Sequence, residues 1–95
     1  MIKTGYVYIL TNKNKTVLYV GVTNNLKRRL KEHMQEPKGF VKKYNAQFLL
    51  YFESIQGIRK AIDREKQIKK WRRIKKEVLI TSVNPNWNFL NEEIL

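Results

Sequence analysis

The sequence contains no cysteine and a single histidine, and this scarcity limits the chemistry that the chain can carry. Without cysteine there is no disulfide, no thiolate metal site and no cysteine nucleophile. His33 alone cannot build a zinc site of several histidines. Any metal must therefore be bound mainly by oxygen ligands.

Long apolar runs and acidic residues are also scarce. No stretch approaches the roughly 18 apolar residues of a membrane span, and the first ten residues do not resemble a signal peptide. We therefore expect a cytoplasmic protein with no membrane partner. Eight acidic residues stand against twenty basic ones, which gives a formal charge of +12 and predicts a polyanionic partner. Nucleic acid is favoured over an anionic membrane, because most of the chain has the pattern of a folded domain.

The hydrophobic pattern predicts one α+β domain over residues 1–95, with the order β-β-α-β-α-α. Segments rich in β-branched and aromatic residues predict a hairpin and a third strand, at residues 6–10, 16–22 and 46–52. Apolar residues at helical spacing predict helices at residues 26–34, 58–73 and 74–80. Residues 39–44 fit either a turn of helix or a loop, and Trp87, Phe89 and Leu90 are expected to pack back on the core.

Glu65 is the most informative residue of the long helix. At 100° per residue it lies within the apolar stripe formed by Ile58, Ala61 and Ile68. A carboxylate that faces the core costs several kcal/mol unless it is paired, hydrogen-bonded or bound to a cation. Two interpretations follow: Glu65 binds a metal, or it lies at the edge of the buried face and pairs with a nearby basic side chain.

Other polar residues also lie on apolar faces. Arg29 and His33 are four residues apart, in the same sector of the first helix as Leu26 and Leu30, so they either face the protein or extend to water at its boundary. In the hairpin, a glycine at the end of a strand, Gly21, often marks a close approach of the backbone to another group.

The order and spacing of these features resemble the GIY-YIG nuclease module in its short, stand-alone bacterial form. The motifs are Tyr6-Val7-Tyr8, Tyr19-Val20-Gly21, the basic segment Asn24 to His33, and Ala61-Ile62-Asp63-Arg64-Glu65. Each tripeptide is a weak signal alone, but the ordered set covers nearly the whole chain and is specific.

The resemblance implies a three-stranded antiparallel sheet flanked by helices. It also implies a divalent-metal-dependent endonuclease acting on DNA, for which structure-selective cleavage in repair or recombination is one expected role. Tyr8, Tyr19, Arg29 and His33 match the catalytic positions, and Glu65 matches the ligand of Mg²⁺ or Mn²⁺. Tyr8 would be the general base if nearby cations lower its pKa.

The chain departs from the family pattern at two places, and one further family position is not decided by the sequence. Tyr6 replaces the glycine of the first motif, so Tyr6 is the alternative to Tyr8. Val22 and Thr23 stand where some members have a lysine, which argues against lysine-assisted proton transfer. The C-terminal family asparagine is not decided by the sequence, and the candidates are Asn84, Asn86, Asn88 and Asn91.

Basic side chains off the apolar faces are expected to contact nucleic-acid phosphates. They are Lys27, Arg28, Lys31, Lys66, Lys69, Lys70 and Arg73. Such contacts give affinity without sequence choice, so selectivity would come from DNA shape or from a partner protein. Two alternatives stay open: a non-catalytic RNA- or ribosome-associated module, and a basic scaffold for an acidic protein.

Overall fold

A computed structural model describes residues 3–95 and contains one antiparallel sheet of three strands. The strands are β1 (Thr4–Thr11), β2 (Leu18–Thr23) and β3 (Phe48–Gln56), in the spatial order β2-β1-β3. The predicted hairpin and the three-stranded antiparallel sheet are therefore confirmed. The third strand begins later and ends later than the sequence pattern predicted.

Five helices accompany the sheet in the described part of the chain. They are α1 (Leu26–Gln35), α2 (Gly39–Tyr44), α3 (Ile58–Lys69), α4 (Arg73–Val83) and α5 (Asn91–Ile94). The side chain of Asn25 caps α1 by accepting a hydrogen bond from the backbone N–H of Arg28 at 3.0 Å. Residues 39–44 are helical, and α5 had not been predicted.

The prediction of one helix over residues 58–73 was wrong, because α3 ends at Lys69. A tight turn follows, in which the backbone N–H of Trp71 donates to the carbonyl of Ile68 at 3.0 Å. The indole of Trp71 packs against the core cluster that contains Ile68. Tertiary packing of one large side chain thus ends a helix that the local sequence would continue.

The two faces of the sheet carry separate core clusters, as the alternation of side chains along a strand requires. On one face Val7 and Ile9 pack with Ala61, Ile68 and Ile80, so α3 and α4 cover that face. On the other face Tyr8 and Leu10 pack with residues from α1 and α2, namely Leu26, Leu30 and Val41. We call these the α3 face and the α1 face.

The C-terminal segment packs largely as predicted. Trp87 lies against the cluster of the α3 face and Leu90 against that of the α1 face. Phe89 differs, because its ring stacks on Phe48 and keeps 38% of its surface exposed. Within residues 3–95, none of the helices combines the length and the hydrophobicity needed to cross a membrane.

Candidate functional site

The two tyrosine motifs meet because Tyr8 of the central strand is directly opposite Gly21 of β2. A Cβ atom at Gly21 would lie 2.4 Å from both Cζ and the hydroxyl oxygen of Tyr8. The tyrosine ring therefore occupies the space that any other residue would fill with its side chain. Gly21 is needed here because the ring crosses over it, which is the close approach that its position predicted.

The Tyr8 ring leads to a buried hydrogen bond with α1. Its hydroxyl lies 2.9 Å from Nε2 of His33, and both side chains are almost fully buried. Burial raises the pKa of Tyr8 to about 12, although the Arg29 guanidinium beside it acts in the opposite direction. Burial, followed by the positive charge of Arg29, lowers the pKa of His33 to about 4. At neutral pH the pair therefore consists of a neutral phenol and a neutral imidazole.

Arg29 lies at the surface beside this pair. Its guanidinium forms an ion pair with Glu32 at 2.9 Å, and 41% of its side chain is exposed. The same contact lowers the pKa of Glu32. The two residues that shared one predicted sector thus have different environments: His33 faces the core, while Arg29 extends to water.

Tyr19 joins the group from the edge strand β2. Its ring meets the His33 ring edge-on, with centroids 5.9 Å apart, and stacks on Phe40 of α2 at 5.7 Å. A cleft of about 340 Å³ opens here, lined by Tyr19, Arg29, His33, Phe40 and others. Phe40 was not predicted as a site residue. An aromatic residue within the basic segment that starts at Lys38 could have indicated it.

Glu65 is not in contact with this group. It lies between Ala61 and Ile68 on the side of α3 that packs against the sheet, and it is 8% exposed. Its neighbours belong to the α3 face, whereas Tyr8 belongs to the α1 face. Its Oε1 atom lies 3.1 Å from Nζ of Lys69. Glu65 therefore lies in the apolar stripe and also has the basic partner of the second interpretation.

The donor set around Glu65 suits only a hydrated metal ion. Within residues 3–95, no three His, Asp or Glu side chains are grouped to hold a cation. Every buried side-chain oxygen or nitrogen of these residues has a hydrogen-bond partner, so no unpaired buried atom marks a closed metal cage. Mg²⁺ keeps several waters and is often held by one or two carboxylates together with substrate phosphate. Glu65 fits that mode.

Tyr6, the alternative to Tyr8, lies elsewhere. It is opposite Thr23 and lines a shallow pocket with Asn24, Lys27 and Phe52. In residues 3–95 no hydrogen bond or ring contact joins Tyr6 to His33. Between the two tyrosines, the geometry therefore favours Tyr8 as the member of the site.

The C-terminal asparagines have structural contacts. The amide nitrogen of Asn84 donates to the carbonyls of Leu50 and Asn88, both at 2.9 Å. Asn91 donates to the carbonyl of Gln47 at 3.0 Å and accepts from the N–H of Leu49 at 2.8 Å. These bonds fix the C-terminal segment to β3 and to Gln47 directly before it.

All seven basic residues expected to contact phosphates are exposed. Three of them have partners within the protein. Lys69 pairs with Glu65, and Arg28 lies 3.6 Å from Glu32. Arg73 pairs with Glu77 and donates to the carbonyls of Thr16 and Lys15, so it fixes the β1–β2 loop. The phosphate-binding role expected of Arg73 therefore competes with a structural one.

Comparison with known proteins places the chain in a family. Residues 4–77 match the GIY-YIG catalytic domain. A UPF0213 protein of Clostridium perfringens is 43% identical over 84 residues, which cover 81% of this chain and 83% of that protein. A UPF0213 protein of Syntrophus aciditrophicus is 39% identical over 77 residues, covering 79% and 87%.

A solved structure resembles the whole arrangement as well. The solution NMR structure of a UPF0213 protein from Bacillus halodurans superposes with a TM-score of 0.58 and 26% identity, covering 88% of this chain and 89% of that one. The match to the GIY-YIG catalytic domain extends over all three strands and α3. The tyrosine motifs, the basic helix and Glu65 all lie within the matched residues. The chain therefore belongs to the GIY-YIG nuclease family.

Proposed function

We propose that the protein is a divalent-metal-dependent endonuclease that hydrolyses DNA phosphodiester bonds. The observation that carries the proposal is the buried hydrogen bond between Tyr8 and His33, directly beside the exposed guanidinium of Arg29. A neutral proton-accepting pair next to a phosphate-binding cation is what hydrolysis of a phosphodiester requires. Membership of a nuclease family supports the same reaction class.

Arg29 binds the scissile phosphate. Its partner Glu32 is 48% exposed in its side chain, so the ion pair between them is screened by water and is readily exchanged. A phosphate accepts two parallel hydrogen bonds from a guanidinium, and the attraction grows as charge develops in the transition state. Arg29 thereby orients the phosphorus atom toward the Tyr8 hydroxyl.

Tyr8 and His33 move the proton of the attacking water. A lowered pKa of Tyr8 was expected from the sequence, but burial raises it, so a phenolate is disfavoured in the free protein. The Tyr8 hydroxyl is buried in the free protein, so the proposal requires that a water reach it when the nucleic acid binds. The hydroxyl oxygen then takes the proton from that water while its own proton goes to Nε2 of His33. The oxygen–phosphorus bond forms as the bond to the 3′-oxygen breaks. The lowered pKa of His33 keeps the imidazole neutral before the step. The proposed transfer uses the tautomer whose proton is on Nδ1, so that Nε2 accepts from Tyr8.

Glu65 is the ligand proposed for the metal. A bound Mg²⁺ or Mn²⁺ would supply positive charge that stabilises the leaving group of the phosphodiester. Glu65 provides one carboxylate, and its ion pair with Lys69 must open for this, since the ammonium now lies 3.1 Å from Oε1. Lys69 is 51% exposed and is free to turn toward a phosphate when it is displaced.

The experiment that tests the proposal compares two carboxylates of one helix. Glu65→Gln removes the charge of the proposed ligand, while Asp63→Asn removes a charge of the same sign from the solvated side of α3. Purified proteins are incubated with plasmid, nicked and branched DNA in Mg²⁺ or Mn²⁺. We expect cleavage by the wild type and by Asp63→Asn, and only background cleavage by Glu65→Gln, with DNA binding retained in all three.

Equal residual nicking by Glu65→Gln and the wild type would identify a contaminating nuclease and reject the proposal. Absence of cleavage by the wild type, together with tight RNA binding, would instead identify the chain as a non-catalytic nucleic-acid-binding module.

A further inference from the structure

Helix α2 exposes two aromatic rings that the core does not require. Val41 is its only buried residue, whereas Phe40 and Tyr44 are 38% and 39% exposed. The two rings lie 4.6 Å apart between centroids, and Phe40 also stacks on Tyr19. We call Tyr19, Phe40 and Tyr44 the aromatic row. It starts at a residue of the cleft and extends outward over the protein surface.

Several lysines surround the aromatic row, although Glu32 and Glu36 also line the cleft. Lys38 lines the cleft beside Phe40, and Lys42 and Lys43, which stand between Phe40 and Tyr44 in the sequence, are exposed on α2. Nζ of Lys43 lies 5.3 Å from the centroid of Tyr44. Exposed aromatic rings with cations beside them are typical of surfaces that bind single nucleic-acid strands, because the rings stack on bases while the cations follow the phosphates. A second copy of this chain is a poor occupant, since it also carries a charge of +12.

We propose that the aromatic row stacks on an unpaired nucleobase next to the phosphate that Arg29 binds. Arg29 and Phe40 line the same cleft, so one nucleotide can reach both, with its phosphate on the guanidinium and its base on the ring. In a duplex every interior base is already stacked on both sides. The row therefore accepts a base only from a flap, a fork, a nick with a frayed end or a displaced nucleotide.

This inference rests on the proposed function for the position of the phosphate, but binding tests it without cleavage. The Glu65→Gln protein is used in EDTA, so that the DNA stays intact. The probe is a duplex with a single-stranded extension that carries 2-aminopurine at the unpaired position nearest the junction. The reference is a fully paired duplex of the same sequence. Fluorescence quenching reports stacking, and fluorescence anisotropy reports affinity.

Phe40→Ala is expected to abolish the quenching and to weaken binding of the extended probe by roughly 5- to 100-fold, the usual effect of losing one base-stacking ring. Tyr44→Ala is expected to weaken it in the same direction. Binding of the paired duplex should stay within about twofold, because its phosphate contacts are unchanged. Phe40→Trp should retain both the quenching and the affinity.

Two further variants separate stacking from simple packing. Phe40→Leu keeps apolar bulk on α2 without a flat ring, so it should behave like Phe40→Ala. Phe89→Ala is the matched control, because Phe89 is also 38% exposed, stacks on Phe48 and has a lysine near its ring, yet it lines a different pocket. It should bind both probes as the Glu65→Gln protein does.

Several results would overturn the inference: no loss in Phe40→Ala, equal losses for paired and extended probes, or wild-type behaviour of Phe40→Leu. The proposed function fails separately. A wild-type protein that does not cleave DNA, but quenches the unpaired probe through Phe40, rejects the nuclease and supports the aromatic row as a base-binding surface.

Discussion

A methyl group added at Gly21 would displace the ring that holds the site together. The new Cβ atom would lie 2.4 Å from Cζ and from the hydroxyl oxygen of Tyr8, and 2.8 Å from Cε2. Tyr8 is 1% exposed, so its ring cannot move without shifting its neighbours. Overpacking of this kind costs about 1–3 kcal/mol, and a lost buried hydrogen bond to His33 costs a similar amount, so we expect Gly21→Ala to lose roughly 2–5 kcal/mol.

Two measurements check this expectation. Urea unfolding gives the change in the free energy of unfolding, and an NMR pH titration follows His33, which is the only histidine of the chain. The pKa of His33, about 4 in the wild type, should rise toward its ordinary value of 6.5 when Tyr8 no longer covers the ring.

The control is Gly57→Ala, at a position where φ is +102°. A Cβ atom added there would lie 4.0 Å from Cγ of Lys60, so it would meet no close contact. Gly57→Ala should lose stability through backbone strain, by about 1–3 kcal/mol, but leave the pKa of His33 unchanged. If Gly21→Ala keeps the wild-type stability and a His33 pKa of about 4, the argument that the ring needs this space is refuted.

Three further predictions concern the pH dependence of stability, the contacts of Asn84 and the contacts of Arg73. Because burial lowers the pKa of His33, the unfolded chain binds more protons between pH 4 and 6.5, so stability is complete above about pH 6.5 and falls as the pH drops toward 4. Urea unfolding at stepped pH should show this slope, and His33→Gln should flatten it. Asn84→Ala should cost about 2–3 kcal/mol because it leaves buried partners unpaired, while exposed Asn86→Ala should cost almost nothing in the same assay. Arg73→Ala should speed hydrogen exchange in the β1–β2 loop, whereas Lys70→Ala should weaken DNA binding without changing that exchange.

Local patterns predicted the strands and the face of Glu65, but not where α3 ends. The strands follow from β-branched and aromatic runs, and the buried position of Glu65 follows from helical spacing. Residues 70 to 73 contain no glycine or proline, so nothing local stops the helix there. The turn depends on Trp71 finding the core, and Trp71 can do that only when the sheet is already in place.

The choice between Tyr6 and Tyr8 shows the same limit within the site. The two residues share one side of β1, so the alternation of side chains cannot separate them. The register separates them: Tyr8 is opposite Gly21 and Tyr6 is opposite Thr23. Only the glycine leaves room for the ring to reach His33, which is 25 residues away in the sequence. Such a pairing is non-local, and a single sequence does not encode it in any short segment.

The contacts of the site divide into a permanent part and an exchangeable part. Tyr8 and His33 form the permanent part, because breaking their buried bond leaves polar atoms without water. The ion pair of Arg29 with Glu32 is exposed at both ends, and exposed ion pairs contribute little to stability. The pair of Lys69 with Glu65 is exposed only at Lys69, so its buried carboxylate needs a cation in place of the lysine. A phosphate can therefore replace Glu32 on Arg29, and a divalent cation can replace Lys69 on Glu65, at small cost. The free protein thus neutralises its own binding groups with the partners that are easiest to displace.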